Sequence, residues 1–309
     1  MSPMRILYVA PNQWEKYNWG HELLRRSIAK AHDVTFYGPG RPGWNKPASV
    51  PWVLNHLGKS FDLIITDMQK YSYWVRHLGK VKDIPKVHIL VDYLEEVKNG
   101  ADWQDSFFNN QHIDLFFARS SAEQNCFKKR RSEPVEYLPY SVDADVYHDL
   151  GLTRDIDIAC IWNRGSGYPN RTEIREKTLP GLKKAKGYNV LISRVDRFEY
   201  IDILNRTKIF IGSINQWKGL GMKVSEALAC RCLYLTDKPD DFELQGYRNE
   251  EHLVLYDTLD DMVDKIEFYL KDDYLRQEIA YQGYDFVRQY HSNTVRVQQM
   301  FELIQHHLF

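Results

Sequence analysis

The chain has 309 residues, 43% of them apolar, and a formal net charge of −1. That length suits two domains of ordinary size, and the apolar share excludes a disordered chain. So small a charge supplies no global positive field for non-specific attachment to nucleic acid or to an anionic membrane. It leaves open only a specific, local acceptor site for either.

Residues 5–10 (RILYVA) are a short apolar run ending at Pro11. They read as a first buried strand and not as a signal peptide, because Asn12 and Gln13 stand where a small-residue cleavage site would be needed. Leu23, Leu24, Ile28 and Ala31 predict a helix over 21–31. Residues 33–37 (DVTFY) predict a second strand, stopped by Gly38-Pro39-Gly40. Further strands are expected at 63–66, at 86–91 (KVHILV, ending at Asp92) and at 114–118. A helix at 121–130 and a short strand at 135–137 follow. The alternation predicts a parallel sheet with crossover helices.

Over 139–149 (PYSVDADVYHD) the periodic pattern breaks, which predicts a domain boundary. A second series then begins, with strands at 156–162, 189–193, 208–212, 232–236 and 252–256. Helical patterns at 171–185, 200–205, 222–230 and 259–271 separate them. Helices at 274–289 and 293–307 follow, the latter with Ser292 as a cap. The expected fold is α/β, with two Rossmann-like parallel-sheet domains over 1–150 and 151–290. Such domains bind ligands at the carboxyl ends of their strands, most naturally in a cleft that the two face. The cysteines Cys126, Cys160, Cys230 and Cys232 show no second pair at zinc spacing and read as small buried hydrophobes of a reducing cytosol. No apolar stretch approaches bilayer-spanning length, so no stable membrane insertion is expected and the chain reads as cytoplasmic.

Residues 210–237 carry the most chemistry. A strand ends at Gly212-Ser213, a loop follows through Lys218-Gly219-Leu220-Gly221, and a helix begins near Met222 and holds Glu226. Glycines let backbone approach a ligand closely, and a helix start presents N–H groups and a positive dipole end to phosphate. Lys218 and Lys223 add formal charge. Glu226 lies one turn past Lys223, within reach of ribose hydroxyls. A bare pair of glycines would read as an ordinary loop; here glycines, lysines and a glutamate coincide on one helix start.

This segment resembles the donor-binding signature of GT-B glycosyltransferases of the retaining "group 1" class. That signature sets two glutamates eight positions apart, with Gly-x-Gly between them and Glu-Ala-x-Ala at the second. Lys218, Gly219, Gly221 and Glu226-Ala227-Leu228-Ala229 fall on those positions, with Lys218 in place of the first glutamate. A basic residue three before the second glutamate, as Lys223 is, makes the chain more similar to the spore-maturation-protein branch. Tyr168-Pro169-Asn170-Arg171 resembles that branch's Tyr-x-x-Arg, and residues 139–149 resemble the Pro-x-x-Val-Asp-x-x-x-Phe hinge. The resemblance implies the GT-B fold, with a helix at 291–309 packing back on the N-terminal domain. It implies transfer from a nucleotide-sugar donor, with retention, and a donor site formed by Arg164, Arg171, Lys218, Gly219, Gly221, Met222, Lys223 and Glu226. No cofactor is expected beyond the donor as substrate, and the acceptor stays open.

The N-terminal domain should then supply catalytic groups from loops after its strands. Asp92, ending the most apolar strand, and His21, after the first strand's loop, are the candidates; a helix cap and a satisfied core histidine are the plain alternatives. Arg164 and Arg171 follow the first strand of the second series and can pair with a diphosphate or with a surface carboxylate. Asp143-Ala144-Asp145 matches a metal-holding Asp-x-Asp pattern but lies at the boundary, so it reads as turn chemistry and no metal is expected. Lys128-Lys129-Arg130-Arg131 reads as a complement to a helix dipole. A dinucleotide-dependent oxidoreductase is disfavoured because Pro11-Asn12-Gln13, and not a glycine-rich turn, follows the first strand. A non-catalytic nucleotide-sugar-binding protein is the other rival.

Overall fold

A computed structural model describes residues 2–14, 19–46, 48–67, 75–91, 108–161, 170–193, 196–214 and 219–309. The chain divides into two compact units, Met1–Pro139 with Arg296–Phe309, and Tyr140–Val295.

The first unit is built on a six-stranded sheet of order β2-β1-β3-β4-β5-β6, parallel throughout. Its strands are β1 (Arg5–Val9), β2 (Asp33–Tyr37), β3 (Leu63–Asp67), β4 (Lys86–Ile89), β5 (Leu115–Ala118) and β6 (Val135–Tyr137). Four of them, β1, β3, β4 and β5, are buried almost throughout, as a parallel sheet covered on both faces requires. The helix Trp19–Ala31 starts two residues before the expected 21–31 and buries Leu23, Leu24 and Ile28. The helix Val50–Leu57 has no counterpart in the sequence reading. Ser49 accepts from the Trp52 N–H at its start, Pro51 occupies its first turn, and Gly58 closes it at φ 62°. At the other end of the chain, Val297, Met300, Phe301 and Ile304 recur at helical spacing and join the core of this unit. Phe301 stacks on His32 at 3.8 Å between ring centroids.

The second unit holds a five-stranded parallel sheet of order β11-β10-β9-β7-β8. The strands are β7 (Ile156–Cys160), β8 (Val190–Ile192), β9 (Thr207–Ile211), β10 (Leu233–Asp237) and β11 (Val254–Tyr256). The helical run after β7 begins at Arg171–Glu173, passes through a π turn at Ile174–Thr178 and continues as Leu179–Lys186. The π turn sits just before Pro180, whose missing N–H breaks the regular ladder. The helix Arg197–Arg206 is longer than the expected 200–205 because Asp196 caps it, accepting from the Phe198 and Glu199 N–H groups at 2.9 and 3.0 Å. The helices Leu259–Lys271, Asp273–Tyr290 and Asn293–Leu308 match the expected pattern within a residue or so. Both units are thus the parallel-sheet α/β domains expected from the sequence. No helix of the described residues is long and apolar enough to cross a membrane.

Candidate functional site

Sheet topology alone marks a ligand position in the Tyr140–Val295 unit. The chain leaves β7 for β8 on one side, then returns to place β9 on the other, so strand order reverses between β7 and β9. At such a reversal the crossovers depart on opposite faces, and a crevice opens beyond the carboxyl ends of the strands. The glycine-containing segment singled out from the sequence leaves the sheet at this point.

β9 hands over to Gly212, where no side chain fits: a Cβ there would lie 2.2 Å from the Tyr234 ring. Three side chains then hold the outgoing backbone. Arg171 Nη2 donates to the Ser213 carbonyl at 3.0 Å, Asp237 Oδ1 accepts from the Ile214 N–H at 2.7 Å, and Tyr256 Oη donates to the Gly212 carbonyl at 3.4 Å. Residues 215–218, and with them Lys218, lie outside the described residues, as do Asp92 and Arg164. Gly219 and Leu220 are buried, and Gly221 precedes the helix Met222–Ala229 with φ −87° and ψ 177°. No side chain of the described residues caps that helix, and a Cβ on Gly221 would meet none of their atoms within 4 Å. Among the described residues, then, no side chain claims the first-turn N–H groups of this helix, an arrangement that suits an anion.

Lys223 and Glu226 stand one turn apart on this helix. Glu226 is 7% exposed, and its Oε2 accepts from the Tyr200 phenol at 3.0 Å. The half-buried Lys223 sets its ammonium 4.4 Å from the centroid of the Tyr200 ring. Burial pushes the Lys223 pKa down, opposed by Glu226 and reinforced by the nearby Arg171. Lys223 and Arg171 are thus near enough for each to disfavour the other's charge, a pairing that suits a polyanion. The structure thus brings Arg171, Gly221, Met222, Lys223 and Glu226 to one strand edge. Tyr200 was missed by the sequence reading, since it lies 26 residues from its partner and looks like any aromatic on an amphipathic helix.

The Met1–Pro139 portion of the first unit has its own strand reversal, between β1 and β3. Here Arg25 donates to both Asp67 oxygens at 2.9 and 2.8 Å, and the Tyr8 phenol donates to Asp67 Oδ2 at 3.0 Å. Glu22 accepts from Arg25 at 3.0 Å and from Arg41 at 2.7 and 2.6 Å, while Arg25 also reaches the Pro11 carbonyl at 2.9 Å. His21 sits beside this network, 5% exposed. Burial first, then the charges of Arg119 and Arg25, push its pKa down to about 3. Its imidazole is therefore neutral near pH 7, and a weak proton acceptor.

Asp143 Oδ1 accepts from the Asp145 N–H at 3.0 Å, so this carboxylate is engaged in a local turn. Among the described residues, no group of three His, Cys, Asp or Glu side chains is placed to hold a metal ion. Cys160, Cys230 and Cys232 are buried free thiols and Cys126 is half-buried.

Residues 161–302 match the model of the family described as glycosyl transferase-like. That stretch contains the whole β9–Gly221–Glu226 arrangement. No curated protein matches the chain. Among solved structures, the Anabaena protein Alr3699/HepE in complex with UDP and glucose is 14% identical, with a TM-score of 0.66 over 98% of this chain and 100% of that one. An α-glucosyltransferase in complex with UDP and a 13-mer DNA containing an HMU base is 13% identical, with a TM-score of 0.68 over 98% and 100%. Sucrose-phosphate synthase from Thermosynechococcus elongatus is 13% identical, with a TM-score of 0.64 over 99% of each chain. At such identities the likeness is one of fold, and it extends over both units.

Proposed function

We propose that the protein is a glycosyltransferase that moves a sugar from a nucleoside-diphosphate donor, with retention and without a metal ion, to an acceptor still to be identified. The observation that carries this reading is the uncapped helix start at Gly221–Met222 with Arg171, Lys223 and Glu226 gathered beside it at the β7/β9 reversal. The matching family model over the same residues, and neighbours solved with UDP, support it.

In this reading Glu226 accepts hydrogen bonds from the ribose hydroxyls, while Lys223, Arg171 and the helix N–H groups hold the diphosphate. Lys218, Gly219, Met222 and Arg164 are assigned to the same donor site. As the bond between the sugar's anomeric carbon and the diphosphate oxygen breaks, charge grows on that oxygen, and these groups stabilise it. The acceptor oxygen forms the new bond on the same face, and its proton passes to the departing diphosphate. Asp92 is assigned to orient the acceptor or to stabilise the positive charge developing on the sugar, and His21 to a neutral hydrogen-bonding role.

A thermal-shift panel of nucleotide sugars, followed by product analysis for the best binder in the presence of chelator, tests the proposal. The expected result is a raised melting temperature with one donor class and slow donor hydrolysis that survives chelation. Binding without any turnover would identify a nucleotide-sugar-binding protein instead, and no shift with any donor would sink the reading altogether.

A further inference from the structure

The Glu226 carboxylate is buried yet only half engaged. Among the described residues, Tyr200 is its one side-chain hydrogen-bond donor, and that bond occupies a single oxygen, Oε2. A buried carboxylate without further donors swings about its last torsion, so a partner on one oxygen decides where the other points. Tyr200 is suited to that task. It is 6% exposed, and rings of Tyr147 and Phe210 stand edge-on to it at 6.3 and 6.4 Å between centroids. Its helix is anchored by the Asp196 cap one turn earlier. Burial first, then the neighbouring Glu226, push the phenol pKa well up, so the hydroxyl keeps its proton and acts as a donor throughout the working pH range. The face of the same ring carries the Lys223 ammonium at 4.4 Å. One side chain thus touches both groups assigned to the donor, the carboxylate through its edge and the ammonium through its face.

Resting on the proposed donor site, we infer that Tyr200 is a positioning residue for the nucleoside diphosphate. Its hydroxyl turns the free oxygen of Glu226 toward the ribose diol, and its ring seats Lys223 for the diphosphate. The two contacts are chemically separable. Removing the hydroxyl disturbs ribose recognition alone, and removing the ring disturbs the phosphate end as well.

The test uses the full chain and isothermal titration with UDP, ADP and GDP, then the tightest of the three beside its 2′,3′-dideoxy analogue. Tyr200→Phe is expected to weaken the ribonucleotide by about five- to tenfold, as for loss of one orienting hydrogen bond, and to leave the dideoxy analogue within twofold. Tyr200→Leu should add a loss toward the diphosphate that is absent with the bare nucleoside. A merely structural tyrosine would weaken both nucleotides alike in Tyr200→Phe. That outcome, or no effect on either, overturns the inference. Glu226→Gln separates the two levels of the argument. If it weakens the ribonucleotide while Tyr200→Phe does not, only the role of Tyr200 falls. If Glu226→Gln is silent, or none of the three diphosphates binds wild type, the donor reading falls and takes this inference with it.

Discussion

Lys223→Ala separates phosphate recognition from nucleoside recognition at the level of one side chain. A lysine whose pKa is lowered by burial and by Arg171 gains most when a dianion arrives between the two cations. The variant should lose about ten- to a hundredfold in affinity for whichever nucleoside diphosphate binds wild type, the worth of about 1.5–3 kcal/mol for a charge-assisted contact, and nothing for the bare nucleoside. Equal losses for both ligands would show that Lys223 supports the fold and not the phosphates. The proposed catalytic pair divides in the same way. An imidazole held down to about 3 cannot serve as an efficient base near neutrality, so the proposal gives the heavier role to Asp92. Asp92→Asn should lower turnover by orders of magnitude at unchanged donor affinity, whereas His21→Gln should retain most of it. The reverse ranking in a steady-state assay would exchange the roles. Glu226 and Lys223 were legible in the sequence because the helix that carries them sets their spacing. Tyr200, Asp67 and Arg25 were not, because their partners lie 26 and 42 positions away and only the folded sheet brings them together.

At the scale of elements, two substitutions distinguish a surface built for a ligand from one built for stability. Gly221 precedes its helix with a φ that any residue adopts, and a Cβ there meets open space. Gly221→Ala should cost the unliganded protein about 1 kcal/mol or less, yet weaken the donor, because the methyl group would stand where the diphosphate approaches. Unchanged titration of the nucleoside diphosphate that binds wild type would place the phosphates elsewhere. Asp67 shows the opposite behaviour. It ends β3 and accepts both arms of Arg25, which is fully buried on the helix Trp19–Ala31. Asp67→Asn leaves that guanidinium short of its charge partner, and urea unfolding should register a loss of about 3–5 kcal/mol. A loss below 1 kcal/mol would mean that the remaining Glu22 compensates. The strands were the most legible elements, since β1, β3 and β5 lie in short, mainly apolar runs and β4 opens KVHILV, where Val87, Ile89, Leu90 and Val91 outweigh Lys86 and His88. Their ends were not. KVHILV reads as six strand residues, but pairing stops at Ile89, although the Leu90 N–H still reaches the Phe117 carbonyl at 2.8 Å. The helix Val50–Leu57 shows the converse, since Ser49, Pro51 and Gly58 frame it with local signals while its apolar pattern is too short to register as periodic.

For the whole molecule, the same topological rule operates twice, and the chemistry left at each reversal differs. In the Tyr140–Val295 unit the reversal carries an open, cationic helix start; in the other it carries a closed network of Arg25, Asp67, Glu22 and Arg41. That first unit also buries His21 beside the network and His88 on β4, where Thr66 Oγ1 lies 2.7 Å from the ring Nδ1. Burial pushes both imidazoles from 6.5 down to about 3. A pKa depressed on folding means that the unfolded chain takes up the proton first as pH falls. The stability associated with each histidine is therefore complete above about pH 6.5 and declines from there toward about pH 3. One pH unit below the unfolded value costs about 1.4 kcal/mol per histidine, so two together remove about 3 kcal/mol by pH 5.5, a large share of an ordinary domain's 5–15 kcal/mol. Urea unfolding at pH 7 and 5.5 should show this loss. His88→Leu should lower stability at both pH values, since it leaves the Thr66 hydroxyl only its long bond to the Val87 carbonyl at 3.4 Å, but should halve the difference between them. Proton NMR gives the direct reading: the C2–H resonances of His21 and His88 should stay at their neutral positions through pH 5. Titration of either ring between pH 6 and 7 would mean that water reaches it in the folded state, and the acid sensitivity of this unit would then need another source.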